Sequence, residues 1–124
     1  MTPYVLDACA LIALLQEETG AAKVAAIINA ANTGNAKIVI NKVNLLEVYY
    51  DAYRIRGKEQ ADLMLSEVKK CPIEINAEIT DEIFAEAGRL KASYKISFAD
   101  SFALAQALVS GAGLYPYIVC ASKH

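Results

Sequence analysis

The stretch YVLDACALIAL, residues 4–14, changes period at its midpoint. Tyr4, Val5 and Leu6 form a short apolar run suited to a strand, and from Ala8 onward apolar residues recur at helical spacing. Asp7 alone stands at the junction. An aspartate there can cap the helix, an effect of about 0.5–2 kcal/mol. It can also sit at the carboxyl end of a strand, where parallel α/β sheets form their sites. What the rest of the chain brings to that edge decides between them.

The pattern repeats along the chain. A helix is expected over ACALIALLQEE (8–18). A second is expected over TGAAKVAAIINAANTG (19–34), with Thr19 as its cap and Asn32 and Gly34 as its stop. AKIVIN (36–41) is β-branched and bounded by polar residues, a buried strand. KVNLLEVYYDAYRIRG (42–57) sets Val43, Leu46, Tyr50 and Tyr53 on one helical face and ends at Gly57. KEQADLMLSEVKK (58–70) continues as a helix, and CPIEIN (71–76) is a strand with Pro72 at its start. TDEIFAEAGRLKASYK (80–95) is a helix capped by Thr80. SFADSFALAQALVSGAG (97–113) is a helix from Ser97 that stops at Gly111 and Gly113, and YPYIVCA (115–121) is the last strand. Strands separated by helices imply a parallel sheet covered on both faces.

A length of 124 residues fits one domain, and 56% hydrophobic with 21% charged residues suits a globular core. The net charge of -2 gives no overall basic field of the kind that marks duplex DNA binders. Cys9, Cys71 and Cys120 have no ligand spacing and read as small buried hydrophobes in a reducing compartment. The N-terminus lacks a basic signal region and no apolar run reaches membrane length, so a cytoplasmic protein without membrane contact is expected. His124 is the single histidine, which argues against a histidine triad with Ser97 or Ser101, and no glycine-rich nucleotide cradle is present.

Three acids interrupt apolar contexts: Asp7, Glu47 in NLLEVYY, and Asp100 in SFADSFALA. Asp7 could be only a cap and Asp100 only a first-turn acid favoured by the helix dipole. Glu47, between Leu45, Leu46 and Val48, is harder to explain so, because a carboxylate near a core is costly without a cation or donor. If the three converge, their repulsion calls for a divalent cation, and carboxylates without His or Cys suit Mg²⁺ or Mn²⁺. Such a cation serves phosphate chemistry. Glu17, Glu18, Asp62, Glu67, Glu82 and Glu86 read as solvated.

With LDACALIALLQEE, NLLEVYY and ISFADSFALAQA in this order, nearly the whole chain resembles PIN-domain ribonucleases, specifically the toxin half of bacterial toxin-antitoxin pairs of the virulence-associated protein C type. The resemblance implies a Rossmann-like three-layer α/β/α sandwich with a parallel central sheet and a metal-dependent endoribonuclease site. Asp7, Glu47 and Asp100 match the family's acids and would hold Mg²⁺ or Mn²⁺ and, through it, a water attacking an RNA phosphodiester. Ser101 would help orient the site. A cognate antitoxin that covers a groove beside the acids, and a homodimer, are the implied protein partners.

This chain departs from the family pattern at two places. Cys9 stands where a hydroxyl residue is common, and IVCASKH offers Ser122 or Lys123 where a fourth acid would fall, before His124. The expectation is a single domain over 1–124, truncated at the C-terminus or lacking that acid. Arg54 and Arg56, after Tyr49, Tyr50 and Tyr53, could form an RNA patch, though a protein interface is the favoured reading of the tyrosines. Arg89, Lys91 and Lys95 could touch substrate but read better as a solvated face. The alternatives are a PIN-like domain that binds RNA or a protein without cutting, and a receiver-type signalling domain. The latter lacks its acceptor, because AKIVIN and PIEIN end in Asn41 and Asn76.

Overall fold

The computed structural model describes residues 2–15, 21–110 and 117–118. In chain order the elements are β1 (Thr2–Leu6), α1 (Ala8–Leu15), α2 (Ala21–Asn32), β2 (Ala36–Asn41), α3 (Lys42–Arg56), α4 (Lys58–Lys69), β3 (Ile73–Asn76), α5 (Asp81–Ser93), α6 (Phe98–Val109) and β4 (Tyr117–Ile118). The strands form one sheet in the order β3-β2-β1-β4, and every pairing is parallel.

Parallel strands need crossovers, and the intervening helices supply them while covering the sheet. Consecutive residues of the central strands are therefore buried on both faces: Val5 and Leu6 in β1, and Ile38, Val39 and Ile40 in β2. Leu6, Leu11, Ile38, Ile40, Leu45, Val48 and Val68 form the main cluster, which joins sheet to α1, α3 and α4. Full burial of such a side chain contributes about 1.5–3 kcal/mol. A smaller cluster of Ile83, Ala87, Leu90 and Ala105 joins α5 to α6. This is the parallel sheet covered on both faces that the alternation implied.

Local signals set the boundaries. Asn41 caps α3 by accepting from Val43 N at 2.8 Å, Thr80 caps α5 by accepting from Ile83 N at 3.2 Å, and Ser97 caps α6 by accepting from Asp100 N at 3.0 Å. Gly57, at φ 91°, takes a backbone conformation that disfavours side chains and turns the chain from α3 into α4. The helix α6 ends earlier than expected, at Val109 with Ser110 as its cap. Thr19, Gly111, Gly113, Cys120, Ser122, Lys123 and His124 lie outside the described residues.

Two expectations need correction. The face of α3 that packs inward carries Asn44, Leu45 and Val48, whereas Leu46, Tyr50 and Tyr53 are 60%, 58% and 46% exposed. Apolar residues occur around most of this helix, so periodicity did not identify the inner stripe, and the buried Asn44 hid it further. Cys9 and Cys71 are half-buried rather than interior. Among the described residues no helix is long and apolar enough to cross a membrane.

Candidate active site at the carboxyl edge of the sheet

Three strands end in polar residues at one edge. Leu6 pairs with Ile40, so Asp7 leaves β1 at the level where β2 ends in Asn41, and Asn41 pairs with Asn76 at the end of β3. Asp7 is 1% exposed, and its Oδ1 accepts from Ala10 N at 2.7 Å in the first turn of α1. The aspartate at the strand-helix junction is thus a helix cap whose carboxylate lies at the edge expected for a site. Its Oδ2 is buried too, and the favourable field of a helix N-terminus lowers the cost of a carboxylate there.

Glu47 lies on the exposed side of α3 rather than near the core, and Asp100 stands half-buried in the first turn of α6. Burial, then the Asp100 carboxylate, then Asp51 one turn further along α3, push the Glu47 carboxyl above its ordinary value of 4.5. Two of the expected acids are therefore electrostatic neighbours although they come from different helices. Among the described residues no three His, Cys, Asp or Glu side chains come together closely enough to form a ready cage for a metal ion. The donor chemistry still fits a hard cation. Mg²⁺ is commonly held by one or two carboxylates while keeping several waters, and Glu47 beside Asp100 would supply such a pair.

Carboxamides surround these acids. Asn44, fully buried one turn before Glu47, donates from Nδ2 to the carbonyl of Ala99 at 3.0 Å, next to Asp100. Gln106, farther along α6, accepts at Oε1 from Asn76 Nδ2 at 2.6 Å and from Asn41 Nδ2 at 3.4 Å. Sequence reasoning missed Asn44 and Gln106. The available signals were a lone glutamine inside ALAQALV and the asparagines that end both β2 and β3.

The accessory residues are less central. Ser101 is 1% exposed and donates its hydroxyl to the Phe98 carbonyl at 2.5 Å, so its proton serves the helix rather than the acids. Arg54 pairs with Asp51 at 2.8 Å and lines an apolar groove with Leu46, Tyr49, Tyr50 and Tyr53. Arg56 lines a different groove with Ile12, Val48, Ile55 and Met64, so the two arginines do not form one patch. Arg89 pairs with Glu86, and Lys91 donates to the Ile96 carbonyl at 2.8 Å.

Comparison with solved structures places this arrangement among known folds. The chain is similar to VapBC2 from Rickettsia felis, solved bound to a DNA fragment from its promoter. The TM-score is 0.64 at 18% identity, with 85% of this chain and 83% of that chain covered. It is also similar to VapC20 from Mycobacterium tuberculosis, a sarcin-ricin loop cleaving toxin. There the TM-score is 0.59 at 12% identity, with 82% and 78% covered. At these identities the likeness is one of fold. No curated protein matches the chain in sequence. The sequence model of the PIN domain matches residues 4–114, most of the chain, and the protein belongs to the PIN domain family.

Proposed function

We propose that this protein is a metal-dependent endoribonuclease, the toxin component of a toxin-antitoxin pair, with Asp7, Glu47 and Asp100 as its catalytic carboxylates. The observation that carries the reading is the 3.0 Å bond from Asn44 to the Ala99 carbonyl, which joins α3 one turn before Glu47 to α6 directly before Asp100, where the two carboxylates interact, at the edge where Asp7 ends β1. Like charges raise each other's free energy, and a cation between them relieves it. Membership of the PIN family and the fold shared with an RNA-cleaving toxin support the same chemistry.

When bound, Mg²⁺ or Mn²⁺ would polarise a phosphoryl oxygen and lower the pKa of the attacking water. The chain's own residues do the rest. Asp7, fixed by its cap bond, and Asp100, fixed in the first turn of α6, present carboxylate oxygens from rigid elements. The Glu47 carboxyl is pushed above its ordinary value, so it must lose its proton for the cation to bind. With a net charge of -2, the chain relies on the cation to meet the RNA phosphate.

The exposed stripe of Leu46, Tyr50 and Tyr53 suits a protein contact, and its place is given to a second copy of the chain. A cognate antitoxin is the second expected partner, as a VapBC2 relative suggests. The alternative, a PIN domain that binds without cutting, is favoured by one observation: the described residues form no three-acid cage. The experiment that decides is incubation of a structured RNA with purified protein in Mg²⁺, Mn²⁺ or EDTA. Cutting in either metal and none in EDTA supports the nuclease. Silence of folded, dimeric protein in both metals supports binding alone.

A further inference from the structure

We infer that Asn44 and Gln106 are positioning residues whose carboxamides clamp α6 to α3 and to the sheet edge, and so hold Asp100 beside Glu47. The inference rests on the proposed site but concerns residues that the proposal does not use.

The contacts of α6 raise a mechanical problem. Toward α5 the helix packs Phe102, Leu104 and Val109 around Ala105, whereas its buried apolar residues outside that cluster are Ala103 and Ala107. Methyl groups exclude water but interlock shallowly, so they limit the helix's rotation and sliding less than larger side chains do. A slide of one residue moves a helix by about 1.5 Å, and Mg²⁺ accepts oxygen ligands only near 2.0–2.1 Å. Placing Asp100 therefore needs directional contacts.

Asn44 and Gln106 supply them at two heights. Asn44 Nδ2 reaches the Ala99 carbonyl at 3.0 Å, directly before Asp100 and one turn before Glu47 on its own helix. Farther along α6, Gln106 Oε1 takes Asn76 Nδ2 at 2.6 Å and Asn41 Nδ2 at 3.4 Å from the paired ends of β3 and β2. The Asn41 amide is held in turn, because its Oδ1 accepts from Val43 N at 2.8 Å. One anchor ties the two acid-bearing helices to each other, and the other ties α6 to the strands.

Stability alone does not account for Asn44. It is fully buried, and its Oδ1 makes no hydrogen bond among the described residues. A leucine of similar shape would avoid the desolvation of that oxygen. A buried asparagine whose one bond is aimed at the turn bearing Asp100 is explained by the position it enforces.

The test uses the whole protein without RNA, comparing wild type with Asn44→Leu, Gln106→Leu and the core variant Val68→Ala. Mn²⁺ affinity is measured by calorimetry, and amide hydrogen exchange is read at Asp100 and Ser101. The clamp predicts faster exchange in the first turn of α6 and Mn²⁺ binding about 10–100-fold weaker in both clamp variants, the range for residues that orient metal ligands. Val68→Ala, destabilised but remote from the edge, keeps wild-type affinity. Should Asn44→Leu fail to fold, Asn44→Ser, which shortens the donor, takes its place. Wild-type affinity in the folded clamp variants, or equal weakening in Val68→Ala, overturns the inference. If the wild type itself binds no Mn²⁺, the metal reading fails, and exchange alone decides the clamp: unchanged protection at Asp100 and Ser101 refutes it.

Discussion

Glu47 on α3 and Asp100 on α6 are electrostatic neighbours, and after burial the Asp100 carboxylate is the largest cause of the raised Glu47 carboxyl. Two helices joined by the bond from Asn44 to the Ala99 carbonyl thus bring like charges together at one edge of the sheet. That repulsion opposes folding and favours a cation, so it has consequences for both stability and binding.

Stability should respond to pH through Glu47. Its folded pKa lies above the ordinary 4.5, so its contribution is fully present below that value and is lost as pH rises through the raised pKa. Glu47→Gln removes the titration. In EDTA, the unfolding temperature of the wild type should fall relative to Glu47→Gln as pH is raised from 4 to 7, by a small amount because Glu47 is exposed. Mn²⁺ should reverse the loss in the wild type alone. A difference between the two proteins that stays constant with pH in EDTA contradicts the assignment.

Asp7 has two separable roles. Asp7→Ala removes the bond from Ala10 N and should cost about 0.5–2 kcal/mol in a denaturant titration. Asp7→Asn keeps an oxygen for that bond and should cost less, while weakening Mn²⁺ binding as much as the alanine does. Equal stability losses in the two variants would show that the cap is unimportant. Unchanged Mn²⁺ affinity would remove Asp7 from the site.

The outward stripe on α3 predicts self-association. Tyr50 is 58% exposed beside Leu46 and Tyr53, so Tyr50→Glu should leave the monomer's stability within about 0.5 kcal/mol. Sedimentation should show a dimer for the wild type and a monomer for this variant. A wild type that is monomeric at all accessible concentrations assigns the stripe to another partner.

Much of this architecture was legible in the sequence because its signals are local. The period change at Asp7, the β-branched run of β2, the caps Thr80 and Ser97, and Gly57 each act within a few residues of themselves. The inner face of α3 was not legible. Leu46, Tyr50 and Tyr53 satisfy a helical period as well as Leu45 and Val48 do, and only tertiary packing chooses between them. Asn44 and Gln106 were missed for a related reason: their partners, Ala99, Asn41 and Asn76, lie far away in sequence. The proximity of Glu47 to Asp100 could be suspected from residue type, but it depends on how α6 is seated.

The most direct test of the nuclease reading is the rate of RNA cleavage by Asp7→Asn, Glu47→Gln and Asp100→Asn beside the wild type, at equal folded content in Mg²⁺ and in Mn²⁺. Each substitution keeps shape and removes one charge. The account predicts cutting by the wild type and a loss of at least about 100-fold in each variant, the scale of removing a group that stabilises the transition state. Cutting by all three variants at the wild-type rate would contradict it.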